Sequence, residues 1–280
     1  MSTEKLFLLD GHALCYRSFF AIKGLATRQG QPTNAIFGFI NTLRKILRDY
    51  KPKYFAICFD SKEKTHRAQK FTEYKIQRPK MPDDLISQMT IIKDIVRAYN
   101  LAIFESPGFE ADDLIASLSQ KVSHQHIDVV IVSDDKDLFQ LASDRVKFLT
   151  TRQDNLLSYP DVKDQLGFEP EKIADFLALA GDKIDNIPGV HGIGEVTAIN
   201  LIQRYGSLEN ILKNVDQISP AVEEKLKNHK NMAILSKELA ILDVNAPIEL
   251  NLDALKVGSP DNQRLFELFK EWSGLLFECG

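Results

Sequence analysis

Three short, almost uninterrupted apolar runs punctuate the first half of the chain: "KLFLLD" (5–10), "KYFAICFD" (53–60) and "IDVVIVSD" (127–134). They have the length of strands, and their lack of polar alternation is the pattern of strands covered on both faces. Between them, Phe37, Ile40, Leu43 and Leu47 recur at helical spacing, and a longer helical pattern over 83–99 opens at Pro82-Asp83. Strands alternating with helices predict a parallel sheet with right-handed crossovers. From about residue 160 the strand pattern stops. The chain then reads as successive short helices: "EKIADFLALAG", "GEVTAINLIQRY", "LENILKN" and "AVEEKLKNHKNMAILSKELAIL". The expected fold is α/β, a mostly parallel central sheet flanked by helices over 1–165, followed by a smaller all-helical part over 166–280.

The polar ends of the apolar runs carry the chemistry. All three finish on aspartate: Asp10, Asp60 and the pair Asp134/Asp135. Ligands of open parallel sheets bind at the carboxyl ends of the strands, so these acids should converge. A further group, Glu110, Asp112 and Asp113 in "GFEADDLIASL", opens a helix after Pro107-Gly108. Such acids can merely complement the helix dipole, worth about 1 kcal/mol. Five or more carboxylates at one sheet edge would hold several protonated near neutral pH unless cations neutralised them. Oxygen ligands without His or Cys select hard divalent cations, Mg²⁺ or Mn²⁺. Within "SDDKD", residues two apart on an extended chain share a face. Continued strand geometry would therefore put Asp135 and Asp137 on one side and Asp134 with Lys136 on the other, near solvent.

Composition narrows the partners. With 280 residues, 44% hydrophobic and 26% charged, the chain is an ordinary globular one, expected to be cytoplasmic. No apolar run approaches the ~18 residues of a membrane span, and Glu4-Lys5 before a short stretch ending in Asp10 is no secretory signal. Cys15, Cys58 and Cys279 are odd in number and form no C-x-x-C pair, which excludes a disulfide framework and a thiolate zinc site. A net charge of −4 means that a polyanion must be met by a local patch. Residues 61–82, "SKEKTHRAQKFTEYKIQRPKMP", hold seven Lys/Arg against two Glu, a local charge of +5, with Phe71 and Tyr74 interleaved. A charge run is often only a solvated face, but inside an acidic protein it stands out as a phosphate footprint. Tyr74 beside Lys75 suits a base-stacking platform next to a phosphate contact. An acidic pocket for several metals beside such a segment implies phosphodiester hydrolysis by two-metal catalysis.

"FLALAGDKIDNIPGVHGIGEVTAINLI" (176–202) resembles the helix-hairpin-helix of the 5′-nuclease superfamily, which contains flap endonucleases and the 5′-3′ exonuclease domain of bacterial DNA polymerase I. "FLLDGHALCYRSFFAI", "YKIQRPKMPDDL", "FEADDLIASL" and "SDDKDLFQL" also appear in the family's order, so the resemblance covers nearly the whole chain. It implies nine active-site carboxylates: Asp10, Asp60, Glu110, Asp112, Asp113, Asp135, Asp137, Asp182 and Asp185. Asp134 falls where no acid is required. It also implies two or more divalent cations, a helical arch over about 61–90, and a DNA-binding helix-hairpin-helix at about 176–204. Lys75 and Arg78 match the arch cations that act on the scissile phosphate, Tyr74 the stacking aromatic, and Arg17 another basic position near the site.

In "PGVHGIG", Gly189, Gly192 and Gly194 let backbone approach a phosphate closely, and the next helix offers free N–H groups. Hairpins of this family often bind K⁺ through backbone carbonyls. The chain departs from the pattern at Val196, where Lys is common. The implied activity is that of a structure-specific 5′-nuclease acting on branched or 5′-ended DNA, exonuclease and flap endonuclease, working as a monomer to remove primers and flaps. Its end, "FKEWSGLLFECG", resembles the passage from nuclease into the rest of polymerase I. Two rivals are a non-cleaving homologue that binds branched DNA, which would have lost part of the acid set, and a phosphohydrolase on a similar sheet, which leaves the basic segment and the hairpin unexplained.

Overall fold

A computed structural model describes residues 4–123 and 125–272. Its centre is a six-stranded sheet of Lys5–Asp10 (β1), Tyr54–Cys58 (β2), Ala102–Phe104 (β3), Asp128–Val132 (β4), Val146–Thr150 (β5) and Asn155–Leu157 (β6), in the order β3-β2-β1-β4-β5-β6. All pairs are parallel except β5 with β6, an antiparallel hairpin at one edge. The three expected strands are the three central ones: Leu9 of β1 lies opposite Ile57 on one side and Val132 on the other. The chain winds outward from β1 through β2 and β3, then returns to β4 on β1's free side. That reversal opens a crevice beyond the carboxyl ends of β1, β2 and β4.

Burial on both faces explains the unbroken apolar runs. Phe7 and Leu9 point into a layer formed by Gly11–Ala21 (α1), Asn34–Tyr50 (α2) and, beyond the short His66–Lys70 (α3), Asp83–Ala98 (α4). Leu6 and Leu8 point the other way, towards Ala111–Ser123 (α5) and the helices that follow β6. In α2 the fully buried stripe is Ile36, Phe39, Ile40, Leu43 and Ile46; Phe37 and Leu47 lie on its flank.

The second half is helical as expected: Tyr159–Leu166 (α6), Ile173–Ala180 (α7), Glu195–Tyr205 (α8), Leu208–Lys213 (α9), Pro220–Asn228 (α10) and Lys230–Ala240 (α11) pack on the α5 side. The chain does not stay there. Phe55 N donates to Leu255 O (2.9 Å) and Val257 N to Lys53 O (3.0 Å). Asn262–Trp272 (α12) then packs on α4, across the sheet from the other late helices. The expected helical part over 166–280 thus packs back onto the α/β core through its residues after about 250. The end of the chain, 273–280, with Cys279, lies outside the described residues.

The helical arch expected over about 61–90 is helical only in part, in α3 and in the first turns of α4. Between 61 and 82 only α3 is helical, started by Thr65, whose hydroxyl accepts from Ala68 N (3.2 Å). Turns carry the chain from Phe71 to α4.

Candidate active site

Strand ends and helix starts coincide here, so each acid is fixed by a local backbone need. Asp10 ends β1 and caps α1, accepting from Ala13 N through Oδ1 (2.9 Å) and from Ser133 Oγ through Oδ2 (3.1 Å). Asp60 follows β2 and accepts from Ala111 N at the start of α5 (2.8 Å), a cap supplied from another element. With Glu110, Asp112 and Asp135 these acids line a cleft of about 1020 Å³, whose rim carries Arg17, Lys75 and Arg78. The repulsion expected from the sequence is present. Burial, opposed by the Ala13 N–H and reinforced by Asp60 and Asp135, raises the Asp10 carboxyl to about 7. Burial, with Asp135 and Asp10 beside it, pushes Asp112 well above the usual range, and burial also raises Asp135.

A second acid group adjoins the first. Asp182 N donates to Ile187 O (2.9 Å) and Ile187 N to Asp182 O (2.7 Å), closing a loop that turns Asp182 and Asp185 towards Asp137. The three can each offer an oxygen within 4.8 Å of the others. Burial, then Asp135, Asp185 and Asp182, raises the Asp137 carboxyl to about 7. Asp135 acts on both groups and so stands between them. Two adjacent all-oxygen sets, each holding carboxyls near neutrality, have the donor chemistry of divalent cations.

Asp113 belongs to neither set. It is fully buried and takes both guanidinium nitrogens of Arg67 (2.8 and 2.7 Å), plus the N–H groups of Glu110 (3.1 Å) and Asp243 (2.8 Å). Burial alone would raise its carboxyl, but Arg67 and these N–H groups hold it below the usual range. Every strong acceptor position is spent, so the expected metal role of Asp113 is withdrawn. Arg67, whose side chain is 2% exposed, also donates to Leu239 O (2.9 Å) and Ile241 O (2.7 Å). It joins the basic segment to α5 and to the end of α11, a role no sequence spacing announced.

The opening pair of the acidic run is divided as expected, for another reason. β4 stops at Val132, and Asp137 N donates to Asp135 Oδ1 (2.9 Å) in a turn that starts a short 3₁₀ segment. A turn, rather than strand alternation, brings Asp135 and Asp137 together. Asp134 points away and accepts from Arg17 Nη1 (2.6 Å), Thr151 N (3.0 Å), Thr151 Oγ1 (2.6 Å) and Arg152 N (3.2 Å). Its partners are these groups instead of Lys136 or solvent.

Lys75 reaches Glu110 Oε2 (2.9 Å) and Asp185 Oδ2 (3.6 Å), and Arg78 holds Asp185 through Nε (3.0 Å) and Nη2. Burial works against the charge on Lys75, but Glu110, Tyr74 and Asp185 raise its pKa all the same. Tyr74 is 7% exposed and its hydroxyl donates to Glu110 Oε2 (3.2 Å). Packed in the core with its tip on an active-site acid, it offers no face to a base, which corrects its assignment as a stacking platform. An aromatic ladder on α1 does: His12, Tyr16 and Phe20 lie four residues apart, His12 stacking on Tyr16 (5.2 Å) and Tyr16 meeting Phe20 at a tilt (6.2 Å), and all three line the cleft. Phe20 is 56% exposed. Their i, i+4, i+8 spacing was the available signal.

The hairpin glycines also divide. Gly189 is buried with φ 65°, its N–H donates to Ser236 Oγ (2.9 Å), and a Cβ there would meet Gly181 N at 2.4 Å. It is glycine for internal packing, and not for phosphate approach. Gly194 caps α8 with open space around it. Gly192, with φ 81°, is exposed at the tip.

Two family models match: the 5′-3′ exonuclease N-terminal resolvase-like domain over residues 5–167 and the 5′-3′ exonuclease C-terminal SAM fold over 168–263. A 5′-3′ exonuclease of Aquifex aeolicus is 42% identical over 96% of this chain and 92% of its own length. The DNA polymerase I of Caldicellulosiruptor bescii is 40% identical over 94% of this chain, which spans only 32% of that protein. Among solved structures, T5 5′-exonuclease with bound zinc superimposes with a TM-score of 0.75 at 18% identity, covering 97% of this chain and 99% of that one. The catalytic core of Rad2 in complex with DNA substrate gives 0.63 at 18% identity, covering 97% and 88%.

Proposed function

The chain belongs to the 5′-3′ exonuclease family, and from that premise we propose that it hydrolyses phosphodiester bonds at the 5′ ends and 5′-flap junctions of DNA. The observation that carries this reading is the pair of adjoining all-carboxylate groups beneath Lys75 and Arg78. Asp10, Asp60, Glu110, Asp112 and Asp135 would hold one divalent cation and Asp137, Asp182 and Asp185 another, Mg²⁺ or Mn²⁺. Bound there, the cations supply an activated water and neutralise the leaving oxygen. The chain's own groups do the rest. Lys75 and Arg78, paired with Glu110 and Asp185, sit where they can turn to the scissile phosphate and offset its developing charge. Tyr16 and Phe20 offer faces for an unpaired base. Arg17, steadied by Asp134, adds a cation at the cleft wall. All of these come from one chain, which supports action as a monomer. The hairpin before α8 follows directly on the loop of Asp182 and Asp185 and would hold a duplex without reading its sequence. Removal of primers and displaced flaps is the task this suits.

The acid set is complete apart from the reassigned Asp113, which disfavours a non-cleaving homologue. The basic rim and hairpin disfavour a small-ester phosphohydrolase. The test is cleavage of a 5′-flap oligonucleotide and of a small phosphate ester, each with Mg²⁺ and with excess EDTA. Flap cleavage that requires Mg²⁺, with the ester untouched, is the expected result. Turnover in EDTA, or ester hydrolysis alone, overturns the reading.

A further inference from the structure

The turn joining β5 to β6 brings Thr151 and Arg152 to the carboxyl edge of the sheet, one strand beyond the acids that follow β4. Its backbone is fixed from two sides. Asp134 accepts from Thr151 N (3.0 Å), Thr151 Oγ1 (2.6 Å) and Arg152 N (3.2 Å), and Lys45 of α2 holds Asp154 (2.5 Å). The Arg152 side chain is left 74% exposed and lines the same cleft as Asp10 and Asp135. With Arg17 and Thr151 it also lines an adjoining cavity of about 200 Å³, which shares Asp10 and Asp135 with the cleft.

Two guanidinium groups thus share one carboxylate. Arg17 Nη1 donates to Asp134 Oδ2 at 2.6 Å, while Arg152 Nε stands 4.0 Å from the same oxygen. Asp134 already accepts four hydrogen bonds, which uses its capacity and leaves the Arg152 fork without a close acceptor there. Burial lowers the Arg17 pKa, Asp134 opposes this, and Arg152 lowers it again, so the second guanidinium is near enough to repel the first. An arginine in a hairpin turn is often merely solvated. That reading does not account for a pinned turn that keeps two like charges together inside the cleft. A phosphate accounts for it, since guanidinium forks match its oxygens in pairs. We propose that Arg17 and Arg152 form a phosphate subsite for the substrate strand, with Asp134 as its frame. It is separate from Lys75 and Arg78, which are paired with Glu110 and Asp185. This rests on the reading of the cleft as a phosphodiester-cleaving site. The phosphate is either an internal diester of the strand or a terminal 5′-phosphate, which present the same oxygens.

The experiment measures affinity, with Ca²⁺ in place of Mg²⁺, for two nicked duplexes that differ only in ending in a 5′-phosphate or a 5′-hydroxyl. Arg152→Gln should weaken binding and lower the salt slope by about 0.9, the share of one phosphate contact. Raising salt from 50 to 200 mM should then cost it roughly 3.5-fold less affinity than it costs wild type. Arg152→Lys, which keeps the charge, should retain the wild-type slope. A merely structural role for Arg152 would leave the slope unmoved. Equal losses on both duplexes assign the subsite to an internal phosphate, and a loss confined to the phosphorylated end assigns it to the terminal one. Unchanged affinity and slope on both duplexes overturn the inference, as does an Arg152→Lys variant whose slope falls as far as that of Arg152→Gln. Wild-type protein that binds neither duplex would instead remove the reading of the cleft beneath it.

Discussion

Asp112 and Asp113 are adjacent in sequence and sit in the same first turn of α5, the first half-buried and the second fully buried, yet they belong to opposite regimes. Asp112 looks into the cleft, where its neighbours are carboxylates, and burial with those neighbours raises its pKa well above the usual range. Asp113 looks the other way, onto Arg67, and despite burial its pKa is lowered. A single step along the helix separates a region of uncompensated charge from a region of complete compensation. Removing an acid from the cleft should hurt chemistry and help the metal-free fold. Removing one from the Arg67 cluster should hurt the fold first.

The largest effect is expected at Asp135, between the two cleft groups. Asp135→Asn should lower single-turnover flap cleavage by at least about 1000-fold, roughly 4 kcal/mol in the barrier, while leaving the metal-free melting temperature unchanged or higher. A variant that cuts at the wild-type rate breaks the assignment of Asp135 to the metals. Next comes Asp113→Asn, which leaves the buried Arg67 with too little counter-charge and should destabilise the fold by about 3–5 kcal/mol. Chemical denaturation measures this. An unaltered midpoint would mean that Arg67 and Asp113 are not coupled as the geometry indicates.

The third prediction sharpens the contrast with pH. Asp10 and Asp137 have folded-state values of about 7, raised above those of an unfolded aspartate near 3.8. A raised folded value contributes stability that is full below the unfolded pKa and is lost as pH rises through the folded one. Metal-free protein should therefore lose melting temperature between about pH 4 and 7 through these groups, and Mg²⁺ should restore more of it at pH 8 than at pH 6. Calorimetry of chelator-treated protein with and without Mg²⁺ decides it; equal restoration at both pH values would contradict the raised carboxyls. The smallest effect belongs to Asp134, which serves Arg17 and the Thr151 turn. Asp134→Asn should slow cleavage by less than about tenfold, or roughly 1.4 kcal/mol. A loss as deep as that of Asp135→Asn would place Asp134 among the metal-binding acids.

Much of this site was legible. The central strands announced themselves because a strand buried on both faces has no polar positions, so "LFLL", "YFAICF" and "VVIV" stood out. Acids at their carboxyl ends had to meet once the sheet was parallel. The edge strands were silent: Ala102–Phe104 is three residues long, and Val146–Thr150 carries an exposed lysine. The residues at the cleft that matter through long-range pairing were equally silent.

The layered α/β core, the convergence of Asp10, Asp60 and Asp135, the basic segment and the glycine-rich hairpin are all written in the order of residues along the chain. These follow from local rules, namely periodicity, strand direction and composition, which act over a few residues. Which acids keep their charge uncompensated is set by long-range packing. Arg67 reaches Asp113 across 46 positions, and Arg17 reaches Asp134 across 117. An acid's chemistry depends on what stands within a few ångströms of it, and for these residues that neighbour comes from a distant part of the chain, set by packing.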